Sequence, residues 1–238
     1  AIQSSKFITE KKSNVLIRKL EKQVSKYEAQ KLQRQVFVSG RIKTMNESIY
    51  YTVDVIHAAI SGNRKIRFQY YQWNVKKEQE LRHGGGWYHI SPWGVSWDDE
   101  NYYLVGFDSE AGKIKHYRVD KMLHVELSGE AREGKEHFSR LDMADYAKKS
   151  FGMFGGKEES VKLSVHNRLA GVMIDRFGKD IIMIPSDAEH FTVRVNVHVS
   201  RQFLGWIVSL GEEVKILSPE SVTEQMKDEI DRLTRQYK

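Results

Sequence analysis

Lys65-Ile66-Arg67-Phe68-Gln69-Tyr70 is a run in which every second residue is aliphatic or aromatic. Ile66, Phe68 and Tyr70 fall on one face of an extended chain, and Lys65, Arg67 and Gln69 on the other. Tyr88-His89-Ile90-Ser91 repeats the alternation, and Tyr102–Phe107, Ile114–Val119 and Met122–Leu127 follow it. Gly84-Gly85-Gly86, the segment Trp97-Asp98-Asp99-Glu100-Asn101 and Ala111-Gly112 punctuate these runs as turns. Short strands at roughly ten-residue spacing, joined by tight turns, predict a small β-barrel over residues 63–128.

On the C-terminal side, residues 128–160 are poor in apolar side chains and carry Gly134, Gly152, Gly155 and Gly156. They read as a linker (129–160) with one helical segment near Leu141–Lys149. A second domain spans 161–238. Val161, Leu163 and Val165 alternate with Lys162, Ser164 and His166. Asn167 then caps a helix that ends at Gly178, Ile181–Ile184 and Phe191–Val199 are strands, Ser200 caps a helix ending at Gly211, and Val214–Leu217 is a strand. The order β-α-β-β-α-β is that of a ferredoxin-like domain. Ser221-Val222-Thr223-Glu224 reads as a capping box opening a last helix with the stripe Val222, Met226, Ile230, Leu233 and Tyr237. The fold class is therefore α+β.

On the N-terminal side, residues 1–62 are a basic region of linker helices. Residues 1–50 hold eleven Lys or Arg against four Glu, whereas the whole chain carries +6. Residues 13–35 read as a helix capped by Ser13, with Leu16, Leu20, Val24 and Tyr27 as its apolar stripe. Residues 36–50 read as an irregular connector, and 52–61 as a short helix ended by Gly62. A basic arm on a near-neutral body fits a polyanion partner, or simply a solvated helix.

The chain has 238 residues and no cysteine, which excludes disulfides, thiol catalysis and cysteine-based zinc sites. No apolar stretch approaches the ~20 residues of a membrane span. A cytoplasmic protein without membrane contact is expected. There is no His-Glu-x-x-His, no phosphate-binding Gly-x4-Gly-Lys-Ser/Thr and no Gly-x-Ser-x-Gly, and the nine histidines lack ligand spacing. The expectation is a protein that is not an enzyme and uses no metal or cofactor.

Two surfaces suit ligands. The barrel segment is rich in aromatics, including Tyr70, Tyr88, Tyr102, Tyr103 and Tyr117, interleaved with Arg67, Arg82, His89, Ser91, His116 and Arg118. Aromatic faces with nearby cations hold stacked bases and phosphates; barrel core and packing are the alternative. In the second domain, Lys162, Ser164 and His166 share a sheet face with Thr192, Arg194, Asn196 and His198. That stripe can hold an anionic ligand, or stand as an open solvated face.

Four segments together resemble the WYL-domain family. Lys65–Tyr70 is similar to its first strand. His89-Ile90-Ser91-Pro92-Trp93-Gly94-Val95 is similar to the next strand with its proline, and Tyr102-Tyr103-Leu104-Val105-Gly106-Phe107-Asp108 to the namesake Trp-Tyr-Leu segment, with Tyr102 in place of Trp. His116-Tyr117-Arg118-Val119-Asp120-Lys121-Met122 is similar to the closing Arg-x-Phe-Arg motif, with His116 and Lys121 at two of its basic positions. Residues Val161–Tyr237 resemble the C-terminal extension that follows many such domains.

The resemblance implies an Sm-like, SH3-type barrel that senses a nucleic-acid or nucleotide-like effector and passes its state to an N-terminal winged helix-turn-helix. It assigns ligand contacts to Tyr70, Ser91, Tyr103 and Arg118. The expected function is the effector-binding and dimerisation region of a bacterial transcription regulator, working as a homodimer. Direct binding of single-stranded DNA or RNA without switching is the alternative. No recognition-helix pattern precedes Phe7, so the chain reads as a segment lacking its DNA-reading head.

Overall fold

A computed structural model describes residues 9–23, 48–139 and 143–238. The chain divides into two compact units, within residues 1–140 and 141–238. The architecture is mixed: each unit has its own antiparallel sheet and its own core.

In the first unit, helix α1 (Glu10–Glu21) starts at Thr9, whose hydroxyl accepts from the Lys12 N–H at 3.3 Å. The expected cap, Ser13, instead lies inside the helix and is buried. The part of that expected helix beyond residue 23, and the connector up to residue 47, lie outside the described residues. Helix α2 (Ile49–Ser61) begins three residues before the expected start and ends at Gly62 as expected. Its Ile49, Ile56 and Ala59 pack into the sheet's core.

That sheet is made of β1 (Arg64–Trp73), β2 (Gln79–Leu81), β3 (Tyr88–Asp98), β4 (Asn101–Asp108), β5 (Lys113–Arg118) and β6 (Met122–Ala131). Strand β1 pairs with β2, β3 and β6, and β3-β4-β5 continue outward as a meander. The sheet curls into a half-barrel. Ile66, Phe68 and Ile90 are at most 1 % exposed on its inner face, as alternation requires. Burying each such side chain stabilises the fold by about 1.5–3 kcal/mol. Pro92, which has no N–H for a ladder, sits where the β3–β4 register shifts between Pro92 and Gly94. Opposite it is Gly106, where a Cβ would collide with the Ile90 side chain and the Ser91 carbonyl. The Asp99-Glu100 turn has positive φ at both residues, the geometry of a two-residue hairpin. The segment then runs through helix α3 (Lys135–Phe138), where Phe138 stacks on Trp93 at 5.0 Å.

The second unit opens with a correction, because the segment before its sheet is more than linker. Helix α4 (Met143–Lys149) and the turn after it bury Tyr146, Phe151 and Met153. Strand β7 (Lys157–His166) begins four residues before the expected start. It is followed by α5 (Ala170–Phe177), β8 (Met183–Pro185), β9 (His190–Val199), α6 (Arg201–Ser209), β10 (Val214–Ser218) and α7 (Glu220–Gln236). The sheet order is β10-β7-β9-β8, all pairs antiparallel. Val161, Leu163, Val165, Val193, Val195 and Val197 face one way and pack with Met173, Phe203, Ile207 and Val222 of the helices. A second correction concerns the last helix. It starts at Glu220 after Pro219, without a side-chain cap, so Ser221 is not its N-cap.

Candidate functional site

The inner face of the half-barrel gathers four rings from three strands. Phe68 stacks on Tyr88 at 5.3 Å, and Tyr117 meets Phe68, Tyr70 and Tyr88 edge-on at 5.2, 5.6 and 5.6 Å. Such pairs add about 0.5–1.5 kcal/mol each beyond area burial. The phenol oxygens of Tyr88 and Tyr117 are buried without a hydrogen-bond partner among the described residues. A buried hydroxyl left unpaired costs about 1–3 kcal/mol, so both are ready donors to an acceptor.

Arg118 stands where β5 ends against this cluster. Its backbone N–H donates to the Tyr70 phenol oxygen at 3.0 Å. Its guanidinium forms a fork with Asp120, with Nε to Oδ1 at 3.0 Å and the second contact to Oδ2 at 2.9 Å. The β4–β5 ladder sets Tyr103 directly opposite it. The guanidinium of Arg82 lies over the Tyr70 ring at 6.0 Å. Lys121 is half-buried, and burial, then Arg118, push its ammonium below the ordinary lysine range. Asp120 is thus paired with Arg118, while Arg82 stands over the Tyr70 ring.

Burial holds the phenols neutral. It pushes Tyr70 up to about 12, with the Arg118 N–H bond pulling the other way. Tyr117 is pushed up further, first by burial and then by Asp108. Tyr103 is raised by burial and lowered by Arg118. Neutral phenols donate hydrogen bonds, and the cations supply charge. The arrangement of donors and cations suits a small anion with a flat body.

The expected site residues separate into groups. Tyr70, Tyr103 and Arg118 come together, and His116 shares the strand face of Arg118, two residue pairs along the ladder. Arg67 and His89 face each other on the opposite side of the sheet. Arg67 is committed there to Glu126 at 2.8 and 2.6 Å and lies over the Trp87 ring at 4.9 Å. Ser91 is fully buried, and its hydroxyl accepts from the Glu133 N–H at 2.9 Å. It holds a loop and does not face the cluster.

Arg194 and His198 belong to the second unit. Arg194 is exposed on the open sheet face. His198 is buried, with its Nδ1 2.9 Å from the Ser150 hydroxyl and its ring 4.6 Å from Tyr146. Helix α4 closes over that end of the face, so His198 offers nothing to a ligand. The sequence reading names Arg82, Tyr88 and Tyr117 only as part of the aromatic and cationic barrel surface and gives Lys121 no ligand role. Alternation places Tyr117 with Tyr70, but the reach of Arg82 is set by the β2 turn, which has no periodic signal.

Two units, each an antiparallel sheet packed with helices and the first curled round a cluster of aromatic rings, define a two-unit α+β class of protein. Comparison gives the family. Residues 51–127 match the WYL domain model and residues 157–234 the WCX domain model. Together these cover more than half the chain, and the chain belongs to the WYL-domain family. Among curated proteins nothing matches it. Among solved structures it is similar to "Proteasome accessory factor B/C (PafBC) of Arthrobacter aurescens", at 19 % identity and a TM-score of 0.35, covering 88 % of this chain and 30 % of that one. It is also similar to "a CRISPR Cas-related protein", at 16 % identity and a TM-score of 0.42, covering 80 % of this chain and 54 % of that one. The chain therefore spans about a third and about half of these two proteins.

Proposed function

We propose that this chain is the effector-sensing region of a transcription regulator, acting by binding and not by turnover. The first unit is an Sm-like barrel whose ligand seat is the Arg118 cluster, and the second is a ferredoxin-like domain. The effector is nucleotide-like: a phosphate held by Arg118, Arg82 and Lys121, with a flat base against the tyrosines. Ligand binding favours one arrangement of the chain and thereby the spacing of two DNA-reading heads in a homodimer. A cytoplasmic location goes with that role.

The observation that carries this reading is the Arg118–Asp120 pair, with Arg82 over the Tyr70 ring, beside two buried, unpaired phenols. A screen of cyclic nucleotides, mononucleotides and short single strands, by thermal shift on the whole chain, tests it. The expected result is a rise in melting temperature with a phosphate-bearing, base-bearing ligand, absent in Arg118→Ala. No shift with any member of the set, or an equal shift in Arg118→Ala, overturns the reading.

A further inference from the structure

The second unit brings together two histidines that the Arg118 cluster does not use. His166 closes β7 and His190 opens β9, and the ladder sets them directly opposite each other. Their rings lie 5.3 Å apart, centre to centre, at 80°. Spacing along the chain does not pair them; the register of the two strands does. Each imidazole has a carboxylate behind it. Nδ1 of His190 lies 3.0 Å from Oδ1 of Asp187, and Nδ1 of His166 lies 3.6 Å from Oε2 of Glu213.

Asp187 is fixed in place, because the same oxygen accepts the N–H groups of Glu189 and His190 at 2.8 Å. The Glu189 N–H, then the His190 ring, hold its carboxyl below the ordinary aspartate range. A carboxylate only accepts, so Nδ1 of His190 carries the proton and Nε2 keeps its lone pair. The turn is tied back to β7: Asn167 donates its N–H to the Glu189 carbonyl at 2.8 Å and its side-chain amide to the Ala188 carbonyl at 3.0 Å. Nδ1 of His166 accepts the Arg168 N–H at 3.2 Å. Exchanging that bond for one to Glu213, which also pairs with Arg168, puts the proton on Nδ1 and frees Nε2 of this ring too. An imidazole backed by a carboxylate is how proteins orient a metal-ligating histidine. Two Nε2 atoms at about 2.1 Å from one tetrahedral ion set the ring centres about 5 Å apart, which matches this pair. Both rings are partly open to solvent, so an ion has a path in. Among the described residues no group of three or more His, Asp or Glu side chains is placed to hold one ion. The two histidines are therefore the protein's whole share of the ligands, and water completes the shell.

We propose that His166 and His190 bind one zinc-type divalent ion through their Nε2 atoms, with Asp187 and Glu213 holding the rings from behind. The ion fastens the end of β7 to the start of β9 and is independent of the effector reading. Nitrogen donors select zinc, nickel or copper over magnesium and calcium. The test is titration calorimetry of zinc into the whole chain, beside diethyl pyrocarbonate labelling read residue by residue. One zinc per chain is expected at this pair, with no heat from magnesium. Zinc is expected to shield His166 and His190 from the reagent, which attacks a free imidazole nitrogen, and to leave the exposed His57 labelled. His190→Ala is expected to lose at least about tenfold in zinc affinity. Asp187→Asn keeps both rings and is expected to lose about tenfold.

Stability gives a second readout. An ion that binds only the folded chain raises its melting temperature, so zinc is expected to raise that of wild type and not that of the variant carrying both His166→Ala and His190→Ala. Equal zinc affinity in that variant overturns the proposal. So does labelling of His166 and His190 that zinc leaves unchanged, or magnesium bound as tightly as zinc. Unchanged affinity in Asp187→Asn overturns the part assigned to the carboxylate. Should the double variant fail to fold, the labelling of wild type decides, since it needs no substitution.

Discussion

The backbone N–H of Arg118 donates a 3.0 Å hydrogen bond to the phenol oxygen of Tyr70, a residue 48 positions away in sequence. This bond ties the end of β5 to β1 and fixes the base of the Arg118 side chain against the ring cluster. Removing the acceptor leaves a part-buried N–H unpaired. Tyr70→Phe is therefore expected to lower stability by about 1–2 kcal/mol, read as a lower urea midpoint with unchanged slope. An unchanged midpoint would show that the bond does not hold the site.

Asp120 competes with any anion for the Arg118 guanidinium, since both arms of the fork are taken at 3.0 and 2.9 Å. Asp120→Asn removes the competing charge and leaves a similar shape. A phosphate-bearing ligand is expected to bind several-fold more tightly to this variant, most clearly at low salt. Titration calorimetry of wild type against variant checks this, and weaker binding to Asp120→Asn would assign Asp120 a direct part in holding the ligand.

Gly106 lies in the Tyr102–Asp108 segment where β4 presses on β3. A methyl there meets the Ile90 side chain and the Ser91 carbonyl, and the backbone cannot yield cheaply. Gly106→Ala is expected to cost about 1–3 kcal/mol, measured as a lower melting temperature. The same variant with wild-type stability would mean the two strands separate more easily than their packing implies.

Burial lowers the His198 imidazole below its ordinary 6.5, with Glu158 acting the other way. The folded state thus holds fewer protons on His198 than the unfolded chain does. Its contribution is fully present above about 6.5 and is lost as the pH falls through the unfolded value toward the lowered folded one. The second unit is expected to lose stability as the pH falls below about 6.5, and His198→Gln is expected to flatten that slope. Melting curves across this range decide it; equal slopes in both proteins would place the titration elsewhere.

Much of the fold is legible in the sequence because alternation reports burial. Ile66, Phe68 and Tyr70, and the valines of β9, lie on the faces that period two assigns them. Strand β2 is not legible, because Gln79, Glu80 and Leu81 are all exposed and no period distinguishes them from a loop. The helix near Leu141–Lys149 is legible, but Phe151 after it reads as linker because few apolar residues surround it, yet it completes a core supplied by distant strands. For the site, alternation gives the face of His198 but not the helix that lies over it. The hydroxyl of Ser91 is of the right type to hold a ligand, yet it is taken by the backbone of Glu133. Arg118 and Tyr70 are legible as members of the aromatic and cationic barrel surface, but their meeting is not, since it depends on how the sheet curls.

Arg118 and Arg67 are both arginines on the same sheet: Arg118 bonds Tyr70 through its backbone N–H and Asp120 through its guanidinium, and Arg67 pairs with Glu126. If the cluster is the effector seat, the two arginines differ sharply in what their removal does to binding. Titration calorimetry of the best nucleotide-like ligand from the screen against wild type, Arg118→Ala and Arg67→Ala separates the two positions. Arg118→Ala is expected to lose at least about tenfold in affinity, the cost of one charge-assisted contact, and Arg67→Ala less than about twofold. Wild-type affinity in Arg118→Ala, or a loss confined to Arg67→Ala, would move the seat out of the cluster.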